Sequence, residues 1–310
     1  MKAVAIREFG GPDVLTYADV PVPSPGPGEV LVRVRASGVG PWDAWIREGR
    51  SALPQPLPLI LGSDISGLVE ATGLEVSGFV PGQSVFGVTN PRFTGGYAEF
   101  ATVEARMIAP KPVRLTDAEA ASVPVIATTA WQMLFDHAGL QPNQRVLVLG
   151  GGGNVGAYAV RLAAWAGADV VATGSAAAET FVRSLGARAV IDGRNGGLSG
   201  LSGPFDVVID TVGEPLLGQS FQLLRPGGFI ISAVAVPDQS LAARHHVRAE
   251  FILVDVGTSA LTRLAALFDD GTLQARVGEI LPLSAARTAH EMLAGRPHKP
   301  GKIVLLPGTS

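Results

Sequence analysis

The stretch that decides the fold is RVLVLGGGGNVGAYAVRLAAWAGADVVATGS, residues 145–175. An apolar run leads into four glycines, a segment with apolar residues at helical spacing follows, and a second apolar run comes near the end. Apolar runs of this kind are typical of parallel strands that are buried on both faces. The same alternation continues downstream as far as GFIISAV, residues 228–234. The sequence therefore predicts an α/β domain with a doubly wound parallel sheet.

The glycine loop fits the fingerprint of a dinucleotide-binding site in a Rossmann fold. It has the pattern G-x-G-x-x-G between a predicted strand and a predicted helix, which is the context that this pattern requires. The glycines permit a tight turn and close approach to a pyrophosphate, and the helix N-terminus offers N–H groups to the phosphates. The predicted cofactor-binding residues here are Gly151, Gly152, Gly153, Asn154, Val155 and Gly156. The alternative is a glycine-rich turn that binds no ligand.

The end of the second strand bears on which dinucleotide is bound. NAD sites place an acidic residue there to hold the ribose 2′-hydroxyl, but this strand ends in Thr173, Gly174 and Ser175. A carboxylate would repel a 2′-phosphate, so its absence favours NADP(H). Arg194, just after the predicted strand AVID, is the candidate that pairs with this phosphate. The alternatives are a strand end without nucleotide preference and an ordinary surface arginine.

The flanks of this domain have a different pattern. Alternating apolar and charged residues in GEVLVRVRASGVG are typical of a half-buried antiparallel strand. Thr116 and Glu119 have the spacing of a helix capping box, which marks the change to helical pattern. Beyond about residue 275 the pattern becomes irregular again and ends in the strand-like GKIVLLP. We predict one domain from residues 1–117 plus 275–310 and a dinucleotide-binding domain from residues 118–274.

The composition disfavours several classes of protein. Hydrophobic residues make up 47% and charged residues 16%, which is unlike a disordered chain. The net charge of −3 without a basic block gives no basis for nucleic-acid binding, and no apolar stretch is long enough to predict a membrane span. The sequence has no cysteine, which excludes disulfides and thiolate metal sites. The start MKAVAIREFG lacks a signal-peptide pattern, so we expect a cytoplasmic protein.

Motifs along almost the whole chain carry a resemblance to a known family. They are PLILGSDISGLV (58–69), GGYAEF (95–100), VPVIATTAWQML (123–134), GGGGNVG (150–156), VIDTVG (208–213), LRPGGFIISAV (224–234), RAEFILVD (248–255) and PGKIVL (300–305). Together they resemble the medium-chain dehydrogenase/reductase superfamily and, within it, the zinc-free quinone oxidoreductases related to zeta-crystallin. The resemblance implies a Rossmann domain inserted after a GroES-like β-barrel domain that the C-terminus completes, with the active site in the cleft between them. It also implies a homodimer joined through edge strands of the Rossmann domains.

The resemblance also bears on metal chemistry. In the alcohol dehydrogenase branch, a cysteine near the ASGVG turn and a His-Glu pair after LG bind zinc. The corresponding residues here are Ser37-Gly38 and Ser63-Asp64, which do not supply that ligand set. The five histidines show no ligand spacing and are expected on helices and loops. Alcohol oxidation is hard without a Lewis acid, so the resemblance implies NADPH-dependent hydride delivery to a quinone or an α,β-unsaturated carbonyl.

Two departures from the family pattern fall in the expected substrate pocket. The family often has Asn-Pro-x-Asp-x-Tyr-x-Arg-x-Gly, whereas this chain has Gly40 at the Asn position and Trp45 at the Tyr position. Trp45 offers a flat surface to a nicotinamide or an acceptor, and its N–H donates a hydrogen bond but no proton. Trp42 is expected beside the same pocket, and the alternative is that both tryptophans only pack at the barrel edge. Asp43 and Arg47 are expected to make structural polar contacts, and the proton is expected from solvent.

The resemblance places further residues around the cofactor. Thr129 is expected to face the nicotinamide, and Lys302 is expected to approach the nicotinamide or the phosphates. The other positions follow predicted parallel strands and are Thr211, Val212, Gly213, Ala233, Val234, Ala235 and Val256. The alternative for the apolar members of this set is ordinary packing at the ends of strands.

Two other functions stay open at this point. The first is a non-catalytic NADPH-binding protein, such as a redox sensor or a crystallin-like protein, which the departures at Gly40 and Trp45 favour. The second is reduction of an enoyl thioester, for which Arg92, Arg106 and Lys111 would have to form a basic groove. Both alternatives keep the dinucleotide loop; the first has no acceptor, and the second has a thioester acceptor.

Overall fold

The computed structural model describes residues 1–194 and 197–308. Its strands are β1 (Lys2–Ile6), β2 (Thr16–Asp19), β3 (Glu29–Val39), β4 (Leu59–Ile60), β5 (Asp64–Thr72), β6 (Ser84–Val88), β7 (Phe100–Glu104), β8 (Ile108–Pro110), β9 (Arg145–Leu149), β10 (Asp169–Thr173), β11 (Ala189–Ile191), β12 (Phe205–Asp210), β13 (Leu224–Ser232), β14 (Arg248–Phe251), β15 (Val277–Pro282) and β16 (Lys302–Leu306). Its α-helices are α1 (Pro41–Arg47), α2 (Asp117–Ala121), α3 (Pro124–Trp131), α4 (Asn154–Trp165), α5 (Glu179–Ser184), α6 (Leu216–Ser220), α7 (Gln239–His245), α8 (Thr258–Asp269) and α9 (Ala286–Leu293). The segment Gln132–His137 continues α3 as a π-helix.

The chain divides into two compact units. The first unit comprises Met1–Val125 and Val256–Ser310, and the second comprises Ile126–Asp255. The sequence placed the domain boundaries at 117/118 and 274/275. Two helices account for the difference in position: α2 buries Ala120 and Ala121 in the first unit, and the Thr258 hydroxyl at the start of α8 donates to the Ile108 carbonyl at 2.7 Å.

The second unit is built on a parallel sheet. Among its described residues the strand order is β11-β10-β9-β12-β13-β14, and every neighbouring pair is parallel. Leu147, Val208 and Ile230 on adjacent strands are fully buried in its core. The order reverses between β9 and β12, which is the point where open α/β sheets bind ligands beyond the carboxyl ends of their strands. The predicted doubly wound sheet is confirmed.

The first unit is built on a mainly antiparallel sheet that the end of the chain completes, with β15 and β16 paired in parallel. Its path among the described residues is β15-β16-β3-β5-β6-β8, and β7 pairs with β3. Strand β16 is antiparallel to β3, with Val304 opposite Gly38. The predicted return of the C-terminus to this domain is therefore confirmed. None of the described helices combines the length and the apolar character needed to cross a bilayer.

The region after residue 275 is more regular than its sequence indicated. It contains strand β15 and helix α9 before the closing strand. Helix α9 buries Ala286, Ala289 and His290, and the first two pack in a core cluster with Val39 and Leu61. Small and polar residues on the buried side of this helix hid the apolar periodicity that usually identifies a helix.

Candidate functional site

The glycine loop joins strand β9 to helix α4 in the second unit. Gly150 has a φ of +85°, and Gly153 is the N-cap of α4. A Cβ atom on Gly151 would lie 2.8 Å from the Ala172 side chain, and one on Gly156 would lie 2.7 Å from the Gly150 carbonyl carbon. These positions need glycine because the loop, the strand and the helix approach so closely. No side chain caps α4, so its first-turn N–H groups are available to an anion.

The end of β10 holds this loop in place. The Gly150 N–H donates to the Thr173 hydroxyl at 2.9 Å, and the Gly151 N–H donates to the Thr173 carbonyl at 2.8 Å. Thr173 is buried, so its hydroxyl positions the loop. Gly174 and Ser175 continue into a half-buried turn immediately after the strand.

The segment after β11 runs beside the end of β10. Thr173 pairs with Ile191 across the two strands. A Cβ atom on Gly193 would lie 3.3 Å from the Thr173 Cβ. Arg194 follows directly and is exposed. The structure therefore brings Arg194 to the same edge of the sheet as the glycine loop.

Asp210 builds the turn that follows β12. Its Oδ1 accepts hydrogen bonds from the N–H groups of Val212 and Gly213 at 3.0 and 2.8 Å. The Thr211 hydroxyl donates to the last carbonyl of β9 at 2.7 Å, and a Cβ atom on Gly150 would lie 2.6 Å from the Val212 side chain. The turn is therefore beside the glycine loop. Sequence reasoning did not single out Asp210, although an acid that ends a buried apolar strand is the signal for it.

Ser232 connects this turn to the end of β13. Its hydroxyl donates to Asp210 Oδ2 at 2.7 Å and accepts from the N–H groups of Val234 and Ala235 at 3.2 and 3.0 Å. The Ala233 N–H donates to the Asp210 carbonyl at 3.2 Å. The segment after β13, the turn after β12 and the glycine loop thus meet at the carboxyl edge of the parallel sheet.

Thr129 and Val256, which the sequence predicts beside the nicotinamide, belong to different units. Thr129 lies on α3 in the second unit and Val256 begins the return to the first unit. Both are buried, with 5% and 1% exposure. Two atoms near Thr129 in sequence, Thr128 Oγ1 and Trp131 Nε1, are buried without a hydrogen-bond partner among the described residues.

A buried ion pair lies at the centre of the first unit. Lys302 Nζ is 2.9 Å from Asp64 Oδ2, and the two side chains are 1% and 0% exposed. Asp64 Oδ1 accepts the Val125 N–H at 3.0 Å. Burial raises the pKa of Asp64, and the Lys302 charge opposes that rise. A Cβ atom on Gly38 would lie 3.1 Å from Lys302 Cε.

These contacts decide whether the site fits a metal ion. Gly38 and Asp64 stand among the positions that correspond to zinc ligands of the alcohol dehydrogenase branch. Both lie against the side chain of Lys302. Both oxygens of Asp64 are already engaged, and Gly38 has no side chain. The described residues contain no group of three or more histidine, cysteine or acidic side chains that could hold a metal. The residues present therefore do not fit zinc at this place.

The tryptophan that contacts Lys302 is Trp42, a contact that the sequence did not indicate. The Lys302 ammonium lies 4.1 Å from the centroid of the Trp42 ring, and Trp42 Nε1 donates to the Ser63 hydroxyl at 3.0 Å. Trp45 is 42% exposed on the same short helix. The three-residue spacing on α1 was visible in sequence, but the packing partner of each tryptophan was not.

A second buried polar cluster surrounds Asp43. Asp43 Oδ2 accepts from the Gly40 N–H at 2.8 Å and from the Tyr97 hydroxyl at 3.1 Å. Desolvation raises the pKa of Asp43 to about 7, although the Gly40 hydrogen bond and the Lys302 charge oppose the shift. The same burial, together with Asp43, raises the pKa of Tyr97 well above its usual value. The structural role expected for Asp43 agrees with these contacts.

His290 is a further buried polar group of the first unit. The histidines were expected on helices and loops, and His290 does lie on helix α9, but it is fully buried, which the sequence did not indicate. Its Nδ1 lies 2.7 Å from Arg47 Nη1. Burial, with the Arg47 charge, lowers the pKa of His290 to about 3. Because the guanidinium only donates, His290 Nδ1 accepts and the ring is neutral with its proton on Nε2.

Replacing Gly153 with aspartate tests the anion site at the cost of a small local shift, because a Cβ atom here would lie 3.2 Å from the Gly150 carbonyl oxygen. Aspartate is a favourable N-cap residue, and the φ of −79° and ψ of 173° at this position suit it. Its carboxylate would compete for the first-turn N–H groups and repel the phosphates. We expect Gly153→Asp to remain folded and to weaken dinucleotide binding at least about tenfold. Calorimetric titration measures the binding.

Gly153→Ser is the matched control, because serine caps the helix without a charge. We expect it to bind the dinucleotide more tightly than Gly153→Asp. Equal affinity of wild-type protein and Gly153→Asp would contradict the assignment of the loop.

The pKa of Asp43 predicts a pH dependence of stability. The folded value of about 7 lies above the usual value of 3.8, so the folded state binds the proton more tightly. The stability that this tighter proton binding contributes is present below pH 4 and is lost as the pH rises to 7. His290 acts in the opposite direction between about pH 3 and 6.5, because its folded pKa is depressed.

Comparison of Asp43→Asn with wild type isolates the Asp43 contribution. Asparagine keeps an acceptor for Gly40 and Tyr97 and removes the titration. We expect the variant to become more stable relative to wild type as the pH rises from 4 to 7.5. The difference in the free energy of unfolding should grow by a few kcal/mol, and its upper bound is roughly 1.4 kcal/mol for each unit by which burial raises the pKa of Asp43. Denaturant titrations at several pH values measure it, and a constant difference would contradict the shift.

Comparisons with known proteins agree with this architecture. Residues 26–113 match the alcohol dehydrogenase GroES-like domain, and residues 185–305 match a zinc-binding dehydrogenase family model. A quinone oxidoreductase from Mus musculus is 31% identical, over 99% of this chain and 98% of the relative. The NAD(P)H oxidoreductase RTN4IP1, mitochondrial, of Danio rerio is 36% identical over 73% of this chain, and the match spans only 64% of that relative.

A solved structure agrees over the full length. The quinone oxidoreductase from Coxiella burnetii superposes with a TM-score of 0.90 at 31% identity, covering 99% of both chains. The likeness extends across the glycine loop, the parallel sheet and the barrel with its returning C-terminus. The chain belongs to the quinone oxidoreductase family of the medium-chain dehydrogenases/reductases, and it is an oxidoreductase.

Proposed function

We propose that this chain is a cytoplasmic, NADPH-dependent reductase that delivers hydride to a quinone or an α,β-unsaturated carbonyl without a metal ion. The observation that carries the proposal is the Lys302–Asp64 pair. Where the alcohol dehydrogenase branch binds zinc, this chain has an ammonium already bound by a carboxylate. Such a group cannot coordinate an alkoxide, so acceptors that are already electron-poor suit the site better than alcohols.

The second unit offers a place for the dinucleotide. The uncapped N-terminus of α4 would hold the pyrophosphate. The turn after β12 and the segment after β13 lie beside the loop, and Asp210 and Ser232 hold them there. When bound, a nicotinamide dinucleotide supplies the hydride. These residues therefore bind and orient, and they take no part in proton transfer.

Three side chains of the first unit, Trp42, Tyr97 and Lys302, are poorly suited to donate a proton, and Asp43, whose pKa is raised to about 7, is fully buried and hydrogen-bonded to Gly40 and Tyr97. The Trp42 N–H is bound to Ser63, and an indole does not release a proton near neutral pH. Tyr97 is buried and donates to Asp43. Lys302 is paired with Asp64. We infer that the proton that completes the reduction comes from solvent.

Two features favour NADPH over NADH. The strand β10 ends without an acidic residue that would hold a ribose 2′-hydroxyl and repel a 2′-phosphate. The exposed Arg194 lies at the same edge of the sheet, within reach of a group bound beyond β10. An arginine pairs with a phosphate through two parallel hydrogen bonds, which is a strong and specific contact.

The proposal is tested by following nicotinamide absorbance with purified protein, NADPH and either a quinone or an enone. NADH replaces NADPH in a parallel series, and Arg194→Ala is run beside wild type. We expect turnover that prefers NADPH, and we expect Arg194→Ala to raise the KM for NADPH about tenfold or more while it changes that for NADH little. Equal effects on both nucleotides would show that Arg194 does not contact the 2′-phosphate.

The same assay decides between the proposal and its alternatives. Tight NADPH binding without turnover on any acceptor would favour a sensor or a crystallin-like protein. Enoyl-thioester reduction is less well supported, because Arg106 is paired with Glu104 at 2.6 Å and the Lys111 ammonium donates to the Leu115 carbonyl. These two cations are therefore already engaged.

We also propose that the protein is a homodimer joined along β14. This strand is the last of the parallel sheet and pairs with β13 on one side. Just beyond it, Leu253 is 70% exposed. Leu253→Glu should convert the dimer to a monomer in sedimentation velocity, while Val113→Glu, at a 90% exposed site in the first unit, should not. A wild-type monomer would refute this part of the proposal.

A further inference from the structure

Trp42 is fixed from three directions in the first unit. The Lys302 ammonium lies 4.1 Å from the centroid of the indole ring. The indole N–H donates to the Ser63 hydroxyl at 3.0 Å. Phe93 meets the indole edge to face, with centroids 6.4 Å apart and an interplanar angle of 73°. A charge, a hydrogen bond and a ring contact thus together hold the indole.

Gly40 belongs to the same arrangement. A Cβ atom at this position would lie 2.6 Å from Trp42 Cε2 and would overlap the neighbouring carbons Cζ2 and Cη2. The φ of −129° at Gly40 is ordinary for any residue, so the backbone does not demand glycine here. The reason for glycine is the space that the indole occupies. Gly40 and Trp42 are thus a matched pair, and sequence alone showed only the departure at Gly40.

The ammonium beside the ring is itself part of a buried ion pair. Lys302 is bound by Asp64 Oδ2, and Asp64 Oδ1 is held by the Val125 N–H. A cation near an aromatic face is attracted to it, and the attraction is stronger when both are shielded from water. The half-buried Trp42 has its polar atom engaged, so the part of it that remains accessible is aromatic carbon.

We propose that Trp42 is the residue that selects flat, conjugated acceptors over small acyclic ones, and that Lys302 and Asp64 are its positioning residues. The inference rests on the proposed function and names the class of acceptor that the site prefers. An aromatic platform that is already ordered gains stacking energy from a planar ring without losing further conformational freedom. An acyclic enone covers less of the platform and gains less.

The first experiment compares a bicyclic quinone, menadione, with an acyclic enone, 3-penten-2-one. The quantity is the ratio of the two kcat/KM values. Trp42→Leu should lower this ratio roughly tenfold. Gly40→Ala should lower it similarly because the new methyl group displaces the indole, and the double variant should be no worse than Trp42→Leu alone. Trp165→Leu, at an exposed site in the second unit, is the control and should leave the ratio unchanged.

Either of two results would overturn the specificity claim. One is an unchanged ratio in Trp42→Leu. The other is additive effects of Gly40→Ala and Trp42→Leu, which would show that the glycine acts independently of the indole. If no acceptor is turned over, binding of menadione by equilibrium dialysis replaces the ratio, and equal affinity of wild type and Trp42→Leu would refute the claim.

The second experiment tests the positioning residues without cofactor or turnover. Phenylalanine replaces Trp45, Trp131 and Trp165, so that Trp42 is the only fluorophore of its kind among the four tryptophans. In this background, Asp64→Asn with Lys302→Met removes both charges together and leaves no unpaired buried ion. We expect a larger acrylamide quenching constant and lower anisotropy for Trp42. Unchanged values would assign the ion pair to the fold alone, whatever the enzymatic assays show.

Discussion

The structure of the first unit depends on one buried ion pair between Lys302 and Asp64. It joins the last strand of the chain to β5, across 238 residues. Asp64 also holds the Val125 N–H, where the first unit ends its N-terminal part. Removing one partner of such a pair leaves an uncompensated buried charge, which typically costs about 3–5 kcal/mol. The pair therefore ties the returning C-terminal strand to β5, and it holds the ammonium against the ring of Trp42.

The second unit uses buried polar groups in a related way. Asp210 accepts the backbone N–H groups that follow β12, and Ser232 links it to the next strand end. Thr173 holds the start of the glycine loop from the neighbouring strand. These side chains form hydrogen bonds with the backbone of the turns, and no side chain caps α4. The N–H groups at the start of α4 therefore have no competing side-chain acceptor. A phosphate site of this kind would rely on backbone N–H groups, so its sequence signal is glycine and little else.

The sequence predicted features that depend on neighbours in the chain. The glycine loop follows from local spacing, and the capping box at Thr116 is present, with the Glu119 N–H donating to the Thr116 hydroxyl. Features that depend on distant partners were missed. Trp42 and Trp45 lie on the same short helix, and nothing nearby in sequence separates their roles. Only the contacts of Trp42 with Lys302 and Gly40 distinguish it from Trp45. The burial of His290 was not indicated because its partner, Arg47, is 243 residues away.

The charge of Lys302 also limits the chemistry of the first unit. An ammonium bound to a carboxylate supplies a field but no open coordination position, unlike a catalytic metal with an exchangeable ligand. Stabilising a localised alkoxide needs direct contact with a strong positive charge or several donors. A quinone or a conjugated enone spreads the incoming charge over several atoms and needs less of that help. Under the proposed function, the same buried cation that completes the fold therefore suits acceptors whose own conjugation carries the negative charge, and the flat indole held above it suits the same molecules by shape.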